Sequence, residues 1–164
     1  MNHKKTILFL ISILFASSFA KVWSVLKVPN PSREFKMCGQ EGASFICNPD
    51  GVLKESTTKD LAVLAANLED STLRTSQSSC GTGYQMGFLV VEEMENPALL
   101  EKGELAKKFC KEVHDQWGVG DQTCNNGVMV LLSKLDRQIY ISTVFTSPFF
   151  IWNPQKKALS FPLD

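Results

Sequence analysis

The sequence predicts an α/β domain in which helices flank a central β-sheet. Two observations lead to this fold class: apolar residues repeat at helical spacing in residues 101–117, and five consecutive apolar residues follow at 128–132. An order of strand, helix and strand favours helices packed on a sheet. The 164 residues are 44% hydrophobic and 21% charged, as in ordinary globular proteins. The formal net charge is zero, which argues against nucleic-acid binding.

The first elements follow an N-terminal segment, residues 23–51, whose many Pro, Gly and Asn residues predict irregular structure. Residues 57–69 predict a helix that Thr57 caps and whose positive end is stabilised by Asp60. Its apolar residues recur at helical spacing: Leu61, Leu64, Ala65 and Leu68. After a polar loop, the apolar residues 84–91 predict a strand.

Residues 101–117 predict the clearest helix. Leu105, Phe109 and Val113 form a stripe at positions i, i+4 and i+8, which indicates the face that packs on the sheet. Three further residues widen this stripe: Ala106, Cys110 and Trp117. Gly118 is a natural stop for the helix.

The last predicted elements are two strands. Residues 128–132 predict a central strand, because uninterrupted apolar residues are typical of strands that are buried on both faces. Residues 134–137 turn the chain. Residues 138–143 then alternate like a half-buried strand, with Ile139 and Ile141 on one side.

The first twenty residues predict a secretory signal peptide that is cleaved after Ala20. Residues 3–5 are positively charged, residues 6–15 are apolar, and Ser18 and Ala20 place small residues before the cleavage site. An uncleaved membrane anchor is the alternative, but the apolar run is shorter than the roughly 20 residues that span a bilayer. The sequence therefore predicts an exported protein.

Five cysteines follow the predicted signal peptide: Cys38, Cys47, Cys80, Cys110 and Cys124. In an oxidising compartment they predict two disulfides and one unpaired cysteine, with Cys38 and Cys47 holding the N-terminal segment. Their connectivity stays open. A zinc site is the competing interpretation, but there is no CxxC pair and His114 is the one histidine after the signal peptide.

Three aspartates suggest a metal site. Asp121 follows the glycine-rich residues 118–120, Asp136 lies at the predicted hairpin tip, and Asp50 belongs to an Asn-Pro-Asp-Gly turn. Ordinary turn chemistry explains each of them separately. Together they could supply two or three carboxylates to one end of the sheet, enough for a calcium-type site or for metal-assisted phosphoester chemistry.

Two other motifs favour structural interpretations. Residues 118–127 follow a helix and lead into a strand, which is the reverse of a dinucleotide-binding loop, so they predict a tight connection. Asn125 and Asn126 in this connection could add oxygen ligands beside Asp121. His114 is predicted to be exposed on its helix, and the chain has no GxSxG motif, so nucleophilic catalysis is poorly supported.

Three blocks late in the chain, HDQWGVGD (114–121), CNNGVMVLLS (124–133) and DRQIYIST (136–143), resemble the TPM domain family. More narrowly, they resemble its animal branch, which is named after the modulator of levamisole receptors in nematodes. The earlier segments VPNP (28–31) and ICNPDGVL (46–53) are similar to the same branch.

The resemblance spans residues 23–143 and implies an α/β fold with a central sheet between helices. In the animal branch it implies an auxiliary protein, secreted or on the extracellular face of the plasma membrane, that associates with cysteine-loop acetylcholine-gated channel subunits and increases their response. In the wider family it implies calcium binding and acid-phosphatase activity, at acidic positions that match Asp50, Asp121 and Asp136. An exported interaction domain is the leading hypothesis. A metal-dependent, calcium-binding acid phosphatase is the alternative, and a calcium-binding structural module without catalysis is the third.

The sequence departs from the family after Thr143. An alternative exon, a gene prediction that reads through an intron, or a genuine truncated form would each explain the change. Any truncation would expose Val130 and Leu132 on one sheet face. No membrane span is predicted after signal cleavage. The predicted organisation is a signal peptide (1–20), a truncated TPM-like extracellular domain (21–143) and a divergent tail (144–164).

Overall fold

The computed structural model describes residues 21–75, 81–121 and 123–143. The predicted signal peptide (1–20) and the divergent tail (144–164) lie outside the described residues. In chain order, the elements are β1 (Val22–Trp23), a 3₁₀ turn (Val25–Lys27), β2 (Ile46–Cys47), α1 (Glu55–Thr75), β3 (Gln85–Val91), β4 (Glu93–Met94), α2 (Lys102–Trp117), β5 (Gly127–Ser133) and β6 (Gln138–Thr143).

The main sheet has four strands in the order β2-β3-β5-β6. β2, β3 and β5 run parallel, with Cys47 level with Leu89 and Leu89 level with Leu131. β6 returns antiparallel to β5 and places Ile141 opposite Val130. β1 and β4 form a separate parallel pair. The predicted α/β class, with a sheet flanked by helices, is confirmed.

The core lies between α2 and one face of the main sheet. The predicted stripe of Leu105, Phe109 and Val113 is buried and joins one apolar cluster with Leu89 and Leu131 from the centre of the sheet. Complete burial of a side chain of this size contributes roughly 2 kcal/mol. The packing of α2 on the sheet is therefore a principal source of stability.

α1 is longer than the predicted helix, residues 57–69. It begins at Glu55, so Thr57 lies inside the helix and does not cap it. The neighbouring Thr58 anchors the first turn, since its hydroxyl donates to the carbonyl of Lys54 (3.1 Å) and accepts from Asn48 Nδ2 (3.1 Å). Neither described helix combines the length and the apolar character that crossing a membrane requires.

The described elements cover the second face of the main sheet only in part. α1 packs on β2 and β3, and Leu64 from its predicted apolar stripe points away from them into solvent. On β6, Ile139 and Ile141 are 44% and 58% exposed. Val130 and Leu132 lie opposite them on β5 and are half-buried. This is the face that a truncated domain is predicted to expose.

Candidate functional site

Asp50 lies where the chain leaves β2, and it links separate parts of the fold. Its turn is formed by Asn-Pro-Asp-Gly, in which Gly51 has a positive φ of 64°. The Oδ2 atom of Asp50 accepts a 2.7 Å hydrogen bond from Trp23 Nε1 and a 3.0 Å bond from the backbone nitrogen of Glu92. The carboxylate thus ties β1 to the end of β3.

Asp136 occupies the turn between β5 and β6 and is 8% exposed. Its Oδ2 atom accepts hydrogen bonds from Ser133 Oγ (2.6 Å) and from the backbone nitrogen of Met94 (2.9 Å). Asp50 binds the nitrogen of Glu92, two residues before Met94. The carboxylates of Asp50 and Asp136 therefore lie at the same end of the main sheet.

Asp121 lies at the opposite end. It precedes β5, whereas Asp50 follows β2 and Asp136 follows β5, and these strands are parallel. Its Oδ1 atom accepts from the backbone nitrogens of Thr123 (2.7 Å) and Cys124 (3.0 Å), which is the pattern of an Asx turn. Two of the three carboxylates, those of Asp50 and Asp136, therefore share one end of the sheet, and Asp121 lies at the other end.

The three aspartates do not assemble a metal-ligand set. Among the residues that the structure describes, no three His, Cys, Asp or Glu side chains are grouped so that they could hold a metal ion. Calcium takes about six to eight oxygen ligands, whereas Asp50, Asp121 and Asp136 each use one oxygen to accept two internal hydrogen bonds. This geometry does not fit a shared calcium site, and calcium binding by the aspartates is a hypothesis that a calcium titration tests.

The glycine-rich residues between α2 and β5 form a tight connection, as predicted. Gly118 ends α2 in the left-handed conformation (φ 66°) and donates its N–H to the carbonyl of His114. Gly120 also has a positive φ, of 82°. A Cβ atom on Gly127 would lie 2.1 Å from the carbonyl oxygen of Val119. The two ends of the connection therefore approach too closely for a side chain at this glycine.

Asn126 fastens this connection to the neighbouring loop. Its Oδ1 atom accepts from the backbone nitrogen of Asp121 (2.7 Å), and its Nδ2 atom donates to the carbonyl of Gly83 (2.7 Å) and to Thr82 Oγ1 (3.1 Å). The amide oxygen that the sequence suggests as a metal ligand beside Asp121 is thus engaged by the backbone of that same residue.

His114 is buried at 2% exposure, so the prediction of an exposed helical histidine is wrong. Its Nε2 atom lies 3.1 Å from the carbonyl oxygen of Val119, and its Nδ1 atom lies 3.0 Å from Ser142 Oγ. Because a carbonyl only accepts, the neutral ring carries its proton on Nε2, and Nδ1 accepts from the Ser142 hydroxyl. Burial lowers the pKa of His114, and the Val119 carbonyl and Asp115 oppose this shift.

We expect the free energy of unfolding to fall as the pH drops below about 6.5, the ordinary pKa of histidine. The unfolded chain takes up a proton there, whereas the buried ring of His114 resists protonation until a lower pH. The contribution of the neutral His114 ring to the free energy of unfolding is thus complete above this pH and is lost progressively below it. Urea unfolding at about pH 7.5 and about pH 5.5 measures the loss, which should shrink in His114→Gln. An equal loss in the variant would assign the effect to other groups.

The cysteines that the structure describes are either disulfide-bonded or buried. A disulfide joins Cys38 to Cys47, and Cys124 is also disulfide-bonded. Cys80 lies outside the described residues. Cys110 is free and fully buried, and burial raises the pKa of its thiol to about 12. A thiol that does not ionise at neutral pH is not a catalytic nucleophile.

A groove of about 160 Å³ lies between the 3₁₀ turn, α2 and the loop that follows β4. Its apolar lining includes Val25, Leu100, Leu105 and Phe109. Leu26 also borders it and is 90% exposed. We call this surface, together with the adjacent Leu99, the leucine groove.

Leu99 is exposed to solvent on a loop that hydrogen bonds hold in place. It is 89% exposed and has a φ of 50°, in the left-handed region that L residues rarely adopt. Asn96 fixes the loop, because its Nδ2 atom donates to the carbonyl of Leu100 (2.8 Å) and its Oδ1 atom accepts from the nitrogen of Leu100 (2.9 Å). Leu26 and Leu99 could not be singled out from the sequence, since isolated leucines in loops follow no periodic pattern.

Comparisons with known proteins place the chain in a family. It is similar to the solution NMR structure of the N-terminal domain of a protein from P. gingivalis, with 15% sequence identity and a TM-score of 0.48. The similarity covers 76% of this chain and 65% of that one. A search of curated proteins finds no match. Residues 23–137, from β1 to the turn before β6, match the family described as "Modulator of levamisole receptor-1". The chain therefore belongs to the modulator of levamisole receptor-1 family.

Proposed function

We propose that this chain is an extracellular auxiliary protein that binds an acetylcholine-gated, levamisole-type channel and increases its response to agonist. The observation that carries the proposal is the family match over residues 23–137, because the family description names a modulator of this receptor. The cysteine-loop channel subunits as partners, and the position outside the cell, are parts of the proposal. The predicted signal peptide supports an extracellular position.

The environments of the described side chains favour binding over catalysis. One oxygen of each carboxylate of Asp50 and Asp136, and both ring nitrogens of His114, form internal hydrogen bonds. By contrast, Leu26 and Leu99 expose nearly their whole side chains next to a groove. Exposed apolar surface beside a groove is typical of protein–protein contacts.

Co-expression of the full chain with levamisole-sensitive channel subunits tests the proposal. We expect a larger peak current at a fixed levamisole concentration, with an unchanged amount of channel at the cell surface, and co-purification of the chain with the channel. Channels expressed alone, or with an unrelated secreted protein of similar size, are the controls. An unchanged current and no co-purification, from cells that secrete the folded chain, would overturn the proposal.

A further inference from the structure

We infer that the leucine groove is the surface that contacts the channel, and that it receives one large apolar side chain of the partner with a basic residue beside it. The inference rests on the proposed function and assigns it to a place on the molecule. Three independent features of the groove carry it: its size and lining, the charge of its rim and the conformation of Leu99.

The size of the groove suits a single side chain. Protein cavities of about 150 Å³ with apolar linings accommodate a molecule the size of benzene, and the leucine groove has about 160 Å³. Leu105 and Phe109 on α2 form part of its wall and belong to the core cluster. Because core packing fixes these two side chains, the groove is preformed, and a ligand does not need to open it.

The rim of the groove carries a net negative charge, because two glutamates, Glu95 and Glu112, line it against one lysine, Lys108. Lys108 and Glu112 line the groove with their charged groups 3.9 Å apart and offset each other. Glu95 also lines it, and it forms no ion pair within the part of the chain that the structure describes. Its backbone nitrogen donates to the carbonyl of Trp23 (2.8 Å), which holds the backbone of Glu95 at the rim. A basic residue of the partner would complement this carboxylate.

The conformation of Leu99 indicates that the loop is built to present this residue. A leucine at φ 50° is under backbone strain, and the two hydrogen bonds of Asn96 to Leu100 hold the loop in place. Strain of this kind persists where the surrounding structure enforces it, and it concentrates at binding and active sites. Glycine or asparagine would adopt this conformation more easily, but neither would offer apolar surface to a partner.

The open face of the main sheet provides the matched comparison. Ile139 and Ile141 are also exposed apolar residues, but they belong to a regular strand without backbone strain. A substitution on β6 tests whether removing exposed apolar surface away from the leucine groove also affects the channel.

The decisive variants are Leu99→Asn and Leu26→Ser in the full chain, co-expressed with the channel, with Ile141→Ser as the control. We expect each leucine variant to weaken co-purification roughly tenfold and to abolish most of the current increase, because a few residues carry most of the affinity of an interface. Leu99→Asn should keep or raise the urea midpoint, because asparagine relieves the strain. Ile141→Ser should modulate the channel like the native chain.

Retained modulation by both leucine variants would overturn the inference while leaving the proposed function intact. Loss of modulation in Ile141→Ser alone would also overturn it, because the contact would then lie on the sheet. If the native chain itself does not modulate the channel, the proposed function fails, and the groove is tested directly by NMR titration with dipeptide amides. The inference is supported if phenylalanyl-lysine amide changes the NMR chemical shifts of Leu105 and Phe109 more than phenylalanyl-glutamate amide does, because the groove would then prefer a basic residue beside the apolar one. Equal shifts, or none, would overturn it.

Discussion

Gly127→Ala is expected to lower the free energy of unfolding by about 3 kcal/mol, the upper end of the range that is typical when a side chain is forced into filled space. The added Cβ atom would lie 2.1 Å from the carbonyl oxygen of Val119, and backbone cannot move aside as a flexible side chain can. The same carbonyl is the partner of His114 Nε2, so its displacement also disturbs the buried histidine. Urea unfolding followed by circular dichroism measures the loss, and poor secretion would accompany it.

Gly103→Ala is the matched control for this variant. A Cβ atom at Gly103, in the first turn of α2, meets nothing within 4 Å. Alanine forms helices better than glycine, so the change should leave the free energy of unfolding unaltered or raise it by up to about 1 kcal/mol. Equal stabilities of the Gly127 and Gly103 variants would show that the tight connection tolerates a side chain, contrary to our expectation.

Asp136→Ala is expected to cost about 3 kcal/mol of the free energy of unfolding. The substitution removes the acceptor of two buried donors, the backbone nitrogen of Met94 and the hydroxyl of Ser133. A buried donor that loses its partner costs roughly 1–3 kcal/mol, and bonds to a charged acceptor are the stronger ones. Asp136→Asn keeps a side-chain oxygen in place and should cost less. Thermal or urea unfolding of the two variants measures the difference.

An exposed aspartate on α1 provides the control, since Asp60→Ala should change the free energy of unfolding by less than about 0.5 kcal/mol. A calcium titration of the same proteins separates the structural role of Asp136 from a role as a metal ligand. We expect the Tm of the native protein to be unchanged by calcium. A calcium-dependent rise in Tm that is absent from Asp136→Asn would contradict this expectation and support the calcium hypothesis.

The long elements could be predicted because their patterns are local. The stripe of Leu105, Phe109 and Val113 locates α2 to within one residue, and the alternation in residues 138–143 gives the bounds of β6. The two-residue strands β1, β2 and β4 could not be predicted, because pairing with distant partners defines them and they are too short for periodicity. The extension of α1 beyond residues 57–69 contains one apolar residue, Leu73, among polar ones, and therefore carries no apolar repeat.

The candidate site was harder to predict than the fold. The order of strands and turns alone could have separated Asp121 from Asp50, because residues before and after parallel strands lie at opposite ends of a sheet. The burial of His114 depends on where the chain places Val119 and Ser142, which no helical pattern encodes. The leucine groove is likewise formed by segments that are distant in sequence, so only the folded chain reveals it.

The buried thiol of Cys110 makes the order of packing and oxidation important in any compartment that forms disulfides. In the unfolded chain it competes with the other four cysteines, since thiolates carry out disulfide exchange. Once α2 packs on the sheet, a pKa of about 12 leaves on the order of one thiolate in 10⁵ molecules at pH 7. Docking of α2 therefore protects the chain from mispairing, and variants that delay it should accumulate wrongly bridged species as well as unfolded ones.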